Sequence, residues 1–182
     1  MPRLTLVRHG RAAARWDEDP DPTLDEEGAL QAEHMAAALA PAGPLTLLAS
    51  PLRRTRATAA ALERAWSVTA RVEPRVGEIP SPGLPLAQRG AWLAGVLAGA
   101  WEDQPAVLHQ WRRGVVEALL GLESDAVVVT HFVAINAAVG HATGDRRVTC
   151  FRPGYCSTTV LDSSGGTLTV VQRGSEAETV VR

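Results

Sequence analysis

The sequence predicts an α/β fold: a three-layer α/β/α sandwich whose mostly parallel sheet ends in an antiparallel hairpin. Three observations carry that expectation. Short apolar, β-leaning runs alternate with helical patterns along most of the chain, the order that winds a parallel sheet with helices on its faces. The run AVVVT, Ala126 to Thr130, is apolar without alternation, as in strands buried on both sides. Near the end, CSTTVLD and TLTVVQR flank SSGG, which reads as two strands joined by a turn.

Each element follows from its own residues. LTLV (Leu4 to Val7) is the first strand, and a polar, proline-rich loop containing WDEDPDP follows it. A helix is expected from Leu24 to Ala40, with Asp25 as N-cap, Glu26 and Glu27 in the first turn, and PAGP as the stop. LTLLAS (Leu45 to Ser50) is a second strand, Pro51 to Trp66 a second helix, and VTARV (Val68 to Val72) a third strand. Glycine and proline crowd residues 77–85, a loop. Helical patterns over 86–101 and 105–122 precede AVVVT, and another runs from about Ala134 to Ala142. The hairpin closes the fold, with fraying expected from about Gly174.

Composition bounds the function. At 182 residues the chain can bury a core without covalent staples, and a single domain over 1–182 is expected. The formal net charge is −2, whereas non-specific nucleic-acid binding calls for a basic excess. Every basic residue is arginine, so an arginine by itself says little. Cys150 and Cys156 are too few for a disulfide framework or a zinc site and read as small buried or half-buried thiols in a reducing compartment. MPRLTLVRHG lacks the apolar segment of a signal peptide, and nothing later reaches membrane-spanning length. A cytoplasmic protein with no membrane partner is the expectation; nothing in the sequence sets an oligomeric state.

In an open α/β sheet, ligands bind beyond the carboxyl ends of the strands. The first strand ends in Arg8-His9-Gly10, the second in Ser50-Pro51-Leu52-Arg53-Arg54, and AVVVT in Thr130 followed by His131. Two imidazoles and two guanidiniums converging on one edge suit a phosphoryl group. Arginine offers planar, bidentate, permanently charged donors, and histidine is a competent nucleophile. Fixed positive charge stabilises the transferring group. Glu78, in the proline-rich loop, is the candidate acid for a leaving oxygen.

LVRHG, LDEEGALQA, SPLRRTRATA and the later His131 occur in order from about Leu4 to Ala142 and resemble the histidine phosphatase superfamily, also called phosphoglycerate mutase-like. The resemblance implies His9 as the nucleophile that becomes phosphohistidine. It also implies that Arg8, Arg54 and His131 bind the phosphoryl group and that Glu78 protonates the leaving oxygen, with no metal or other cofactor. Within SPLRR the second arginine matches, which leaves Arg53 facing solvent.

The departures bear on the substrate. Arg11-Ala12 stands where the family often has Glu-Thr, and Arg15 replaces a frequent asparagine. Phe132-Val133 replaces a Gly-Gly pair; this bulky pair is expected to narrow the approach to phosphate, while Phe132 keeps a backbone N–H to offer. The Gly-Trp-Glu-Gly-like sequence after Glu78 is missing. These changes and the short chain argue against phosphoglycerate mutase activity. The expected function is a phosphomonoester hydrolase acting on a small phosphorylated metabolite. The rivals are a phosphohistidine protein phosphatase and a non-catalytic phosphate-binding module.

The remaining residues have plainer readings. Arg53 and Arg56 read as solvated, and His34, His109 and His141 as packing or surface groups. The five tryptophans fall mainly on helices at core-like spacings, with Trp92, Trp101 and Trp111 the ones placed to wall a pocket over Glu78. Arg11 and Arg15 either add positive potential at the site's mouth or balance the acids of DEDPD.

Overall fold

β1 (Arg3–Arg8) lies near the middle of a six-stranded sheet of order β3-β2-β4-β1-β5-β6, in a computed structural model that describes residues 1–177. β2 (Thr46–Ala49), β3 (Arg71–Val72) and β4 (Ala126–Thr130) run parallel to it. β5 (Thr158–Ser164) and β6 (Thr167–Gln172) form the antiparallel hairpin. α1 (Glu26–Leu39) and α2 (Arg53–Trp66) pack on one another. α4 (Ala106–Leu120) and α5 (Phe132–Thr143) form a second pair, and α3 (Arg89–Ala98) precedes them.

Strand alternation fixes which side chains meet which helices. Leu4, Leu6, Ala126 and Val128 join Val115, Leu119 and Ile135 in one apolar cluster. Val7, Val127 and Val129 turn the other way, against Ala32, Ala59 and Leu62. With apolar layers on both faces, β4 tolerates no polar position before Thr130, which explains AVVVT. A third cluster, holding Trp16, Ile79, Trp101, Leu108, Phe132 and Val133, lies beside the loop that carries Glu78.

Register places the site. Arg8 pairs with Thr130 and Ala49 with Val129, so β1, β2 and β4 end at one edge. His9 N–H then donates to Thr130 O (3.0 Å) and Ser50 N–H to Val129 O (3.1 Å). The loop after β1 is pressed against the start of α1. A Cβ on Gly10 would stand 2.5 Å from Gly28 O, and one on Gly28 would stand 2.1 Å from Arg11 O. Only glycine permits that approach. Asp25 caps α1 as expected, its side chain accepting from Gly28 N.

Several boundaries differ from the sequence-based expectation. Only Arg71–Val72 of VTARV pairs as strand, because Ser67 adopts left-handed backbone (φ 55°) to end α2 and the chain is still turning. The 86–101 pattern divides into a 3₁₀ turn (Leu86–Gln88), α3 and a second 3₁₀ turn (Trp101–Asp103), with Gly99 ending α3 in extended conformation. α5 begins at Phe132, not Ala134, so the Phe-Val pair forms its first turn. Residues 174–177 are docked: Gly174 N–H donates to Thr159 Oγ1 (3.2 Å) and Glu176 bridges to Pro153. The rest of the expected frayed end, 178–182, lies outside the described residues. No helix among the described residues is long and apolar enough to cross a membrane.

Candidate active site

Arg8, His9, Arg54, Glu78 and His131 meet at the shared strand edge. Arg8 and Arg54 are 0% and 1% exposed, a heavy concentration of buried positive charge that calls for anionic or aromatic company. Arg8 Nη1–H donates to Pro153 O at 2.9 Å. Its guanidinium also lies 4.0 Å from the Tyr155 ring centre and 5.2 Å from that of Phe132, an attraction of cation to π-face.

The hydrogen bonds of His9 define its tautomer. Nδ1 lies 2.8 Å from Gly10 O, an acceptor only, so Nδ1 carries the proton. Arg54 Nε–H donates to Nε2 at 3.2 Å, so Nε2 holds a lone pair. Burial, with Arg54, His131 and Arg8 around it, holds the His9 pKa well below the ordinary histidine value. His9 is therefore a neutral imidazole with its basic nitrogen turned toward a guanidinium.

His131 follows β4 and opens α5 without capping it by its side chain. Its Nε2 accepts from Ser50 Oγ–H (2.8 Å) and its Nδ1 faces Glu78 Oε2 at 3.3 Å. The ring stands edge-on to His9, with centroids 5.3 Å apart. Burial lowers the His131 pKa against the pull of the Glu78 carboxylate. Burial drives Glu78 upward in turn, but His131, Arg54 and His9 overcome it and hold the carboxyl well below the usual range. Glu78 is ionised, paired with Arg54 Nη2 at 3.1 Å.

Local sequence makes this geometry. Thr58, one turn along α2 from Arg54, donates Oγ1–H to Arg54 O (2.8 Å) and accepts from Gly10 N–H (3.0 Å). Thr130 Oγ1–H donates to Val76 O (2.6 Å) and so ties the Glu78 loop to β4. α2 and α5 both begin at this edge and neither has a side-chain N-cap bond. Their first amides and positive dipole ends are left for an anion.

His9, Glu78 and His131 are the group among the described residues whose donor atoms lie within 4.8 Å of one another, the spacing a metal would need. The Arg54 guanidinium already donates to His9 Nε2 and to Glu78. A cation there meets a fixed positive charge on the very lone pairs it would need, so the donor set suits an anion.

All five expected site residues thus gather at one sheet edge. The Phe132-Val133 pair differs from expectation: both side chains are buried in the apolar cluster and Phe132 backs Arg8 rather than narrowing the approach. Arg53 is exposed. Arg11 is paired with Asp25 and Glu27, and Arg15 with Asp17, so both balance local acids. Trp101 and Trp111 stack in the core (6.3 Å) and Trp16, from a loop, contacts Trp92 (6.2 Å). Cys150 is buried and Cys156 half-buried, both free. Ser50 and Thr58 stood inside SPLRRTRATA, but their bonding roles were not read from it. Tyr155 carried no sequence signal, because only the β1–β5 pairing brings it to Arg8.

A neutral, oriented imidazole among buried arginines on an α/β sheet edge makes a site suited to an oxyanion. The chain belongs to the histidine phosphatase superfamily (branch 1), whose family model matches residues 4–175. Similar solved structures include "Mycobacterial hydrolase 1", at 24% identity and TM-score 0.73 over 97% of this chain and 99% of that one. Mycobacterial glucosyl-3-phosphoglycerate phosphatase with VO3 matches at 22% identity and TM-score 0.71, over 97% of this chain and 100% of that one. Phosphoserine phosphatase from Entamoeba histolytica, in complex with 3-phosphoglyceric acid, matches at 20% and 0.74, over 96% and 98%. At these identities the likeness is one of fold. No curated protein matches the sequence.

Proposed function

We propose that this protein hydrolyses phosphomonoesters of small metabolites through a phosphohistidine intermediate. The supporting observation is the His9 tautomer: Nδ1–H on Gly10 O and a lone pair on Nε2. Nε2 attacks phosphorus while the bond to the ester oxygen breaks, and the electron pair leaves with that oxygen. Arg8, Arg54 and His131 hold the other phosphoryl oxygens, together with the α5 amides beginning at Phe132. No metal is required, since the arginines supply the positive charge.

Glu78 donates the proton that the leaving alkoxide needs. It is ionised beside Arg54 and His131, but a phosphoryl dianion competes for those same partners and repels the carboxylate. Its pKa then rises as substrate binds. In the second step Glu78 takes a proton from water, which attacks the phosphorus and releases His9.

The low resting pKa of Glu78 also favours substrates that need little protonation. A phosphohistidine on a protein is such a substrate, and that is the second reading. Burial of Phe132 removes the steric ground for a non-catalytic binding module. Steady-state hydrolysis of p-nitrophenyl phosphate by wild type and His9→Ala tests the mechanism, with acid-labile labelling of the quenched enzyme as the direct probe. Activity retained in His9→Ala would overturn it. An inert, folded wild type that still binds phosphate would establish the binding module.

A further inference from the structure

At the far end of α5 from His131, two adjoining cavities of about 420 and 270 Å³ share His109, Arg112 and His141 as walls. His141 stands roughly 15 Å along the helix from His131, by the rise per residue. None of Arg8, His9, Arg54, Glu78 or His131 lines either cavity. His109, Arg112 and Arg113 fall on one face of α4 by their spacing, and His141 joins them from α5, the helix packed against it.

This wall is rich in donors and poor in acceptors. The Arg112 guanidinium lies 4.8 Å from the Trp101 ring centre, and Trp101 stacks on Trp111 at 6.3 Å. Arg112 Nε, Trp101 Nε1 and Trp111 Nε1 are all buried, and none has a hydrogen-bond partner among the described residues. A buried donor without an acceptor is costly, and here three share one stack. The acids nearby are already engaged: Glu102 pairs with Arg146, and Asp145 with Arg147 at 2.6 Å. Burial pushes the Cys150 thiol, beside Arg112, up to about 11, so it stays neutral. Glu117 is the remaining carboxylate in the walls, set against Arg112 and Arg113, neither of which is ion-paired among the described residues.

We infer that this groove between α4 and α5 is a second anion site, separate from the phosphoryl site, and that it takes a phosphate group, free or carried by a small molecule. Phosphate oxygens accept hydrogen bonds, which matches a wall that donates them. Arg112 rests on Trp101 with its planar fork already placed. Arg113 and the two imidazoles add further donors. Two arginines against one glutamate suit a dianion better than a carboxylate, which would leave most of these donors idle. The larger cavity is of small-molecule size, so a carbon body can accompany the phosphate along Trp101.

Calorimetric titration of the full chain with inorganic phosphate tests the site. Arg112→Gln is expected to lose one of the phosphate sites of wild type, or to weaken it roughly tenfold, the worth of a charge-assisted hydrogen bond. Turnover of p-nitrophenyl phosphate should stay unchanged in that variant. Arg113→Gln and His141→Gln, both at exposed positions, should weaken the same site, and they decide the matter if Arg112→Gln fails to fold. Phosphate binding indifferent to all three changes overturns the inference. Phenylphosphonate, which is not hydrolysed, separates the two sources. Tighter binding than phosphate at the Arg112-dependent site assigns an organic phosphate, and weaker binding assigns the free ion. Should the strand-edge site hold no phosphate, the Arg112-dependent site is still counted, so the hydrolase reading and this one fail separately.

Discussion

Arg54 Nε donates to His9 Nε2 at 3.2 Å, while Arg54 Nη2 holds Glu78 at 3.1 Å. One guanidinium therefore sets the proton position of His9 and anchors Glu78. Lysine keeps the charge but not the planar fork. Arg54→Lys is expected to lower kcat for p-nitrophenyl phosphate roughly 100-fold, in the range seen when one preorganised donor is lost. A change under about threefold would show that the fork geometry is dispensable.

The pH dependence follows from two depressed histidines. His9 and His131 titrate below 6.5 in the fold, so His9 stays neutral where a free imidazole would be charged. The acidic limb of kcat/KM is expected clearly below pH 6.5. An inflection at the ordinary histidine value would mean that His9 is solvated and not held as described.

The same shifts set a stability window. Between the lowered folded pKa and about 6.5 the unfolded chain binds protons that the native site refuses, so stability falls as pH drops through that interval. Glu78, also depressed, adds loss of stability once the pH falls below the ordinary carboxylate range. Melting temperature should rise from about pH 5 toward pH 7 and then level off. His9→Asn should flatten the upper part of that rise.

Tyr155 holds Arg8 by its ring, 4.0 Å from the guanidinium. Tyr155→Leu is expected to raise KM for an aryl phosphate by roughly three- to thirtyfold, the worth of a desolvated cation–π contact. Tyr155→Phe should keep most of the affinity. Equal effects of the two changes would assign the hydroxyl, not the ring, to that role.

Gly28 meets the backbone of Arg11, with no room for a Cβ. Gly28→Ala is expected to cost about 1–3 kcal/mol by overpacking, read as a lower denaturation midpoint. Activity per folded molecule should fall as well, because the displaced strand-end loop carries His9. A variant as stable as wild type would show that this loop moves freely.

Much of this was legible in the chain. AVVVT announced a strand buried on both faces, and the strand ends Arg8-His9, Ser50 and Thr130-His131 announced where polar groups would gather. Helix limits were less legible where tertiary contacts intervened. Phe132 and Val133 joined α5 because their side chains could enter the third apolar cluster. VTARV paired only at its end because the left-handed Ser67 delays the strand.

By itself the sequence determined the alternation of strands and helices and the residue types at three strand ends, since both depend on local spacing and on chain order. Tertiary structure decided the rest. Arg54 reaches His9 from 45 positions away and Tyr155 reaches Arg8 through the β1–β5 pairing. The tautomer of His9 and the charge of Glu78 depend on burial and on neighbours distant in sequence. Electrostatics in a low-dielectric interior is a property of the assembled site.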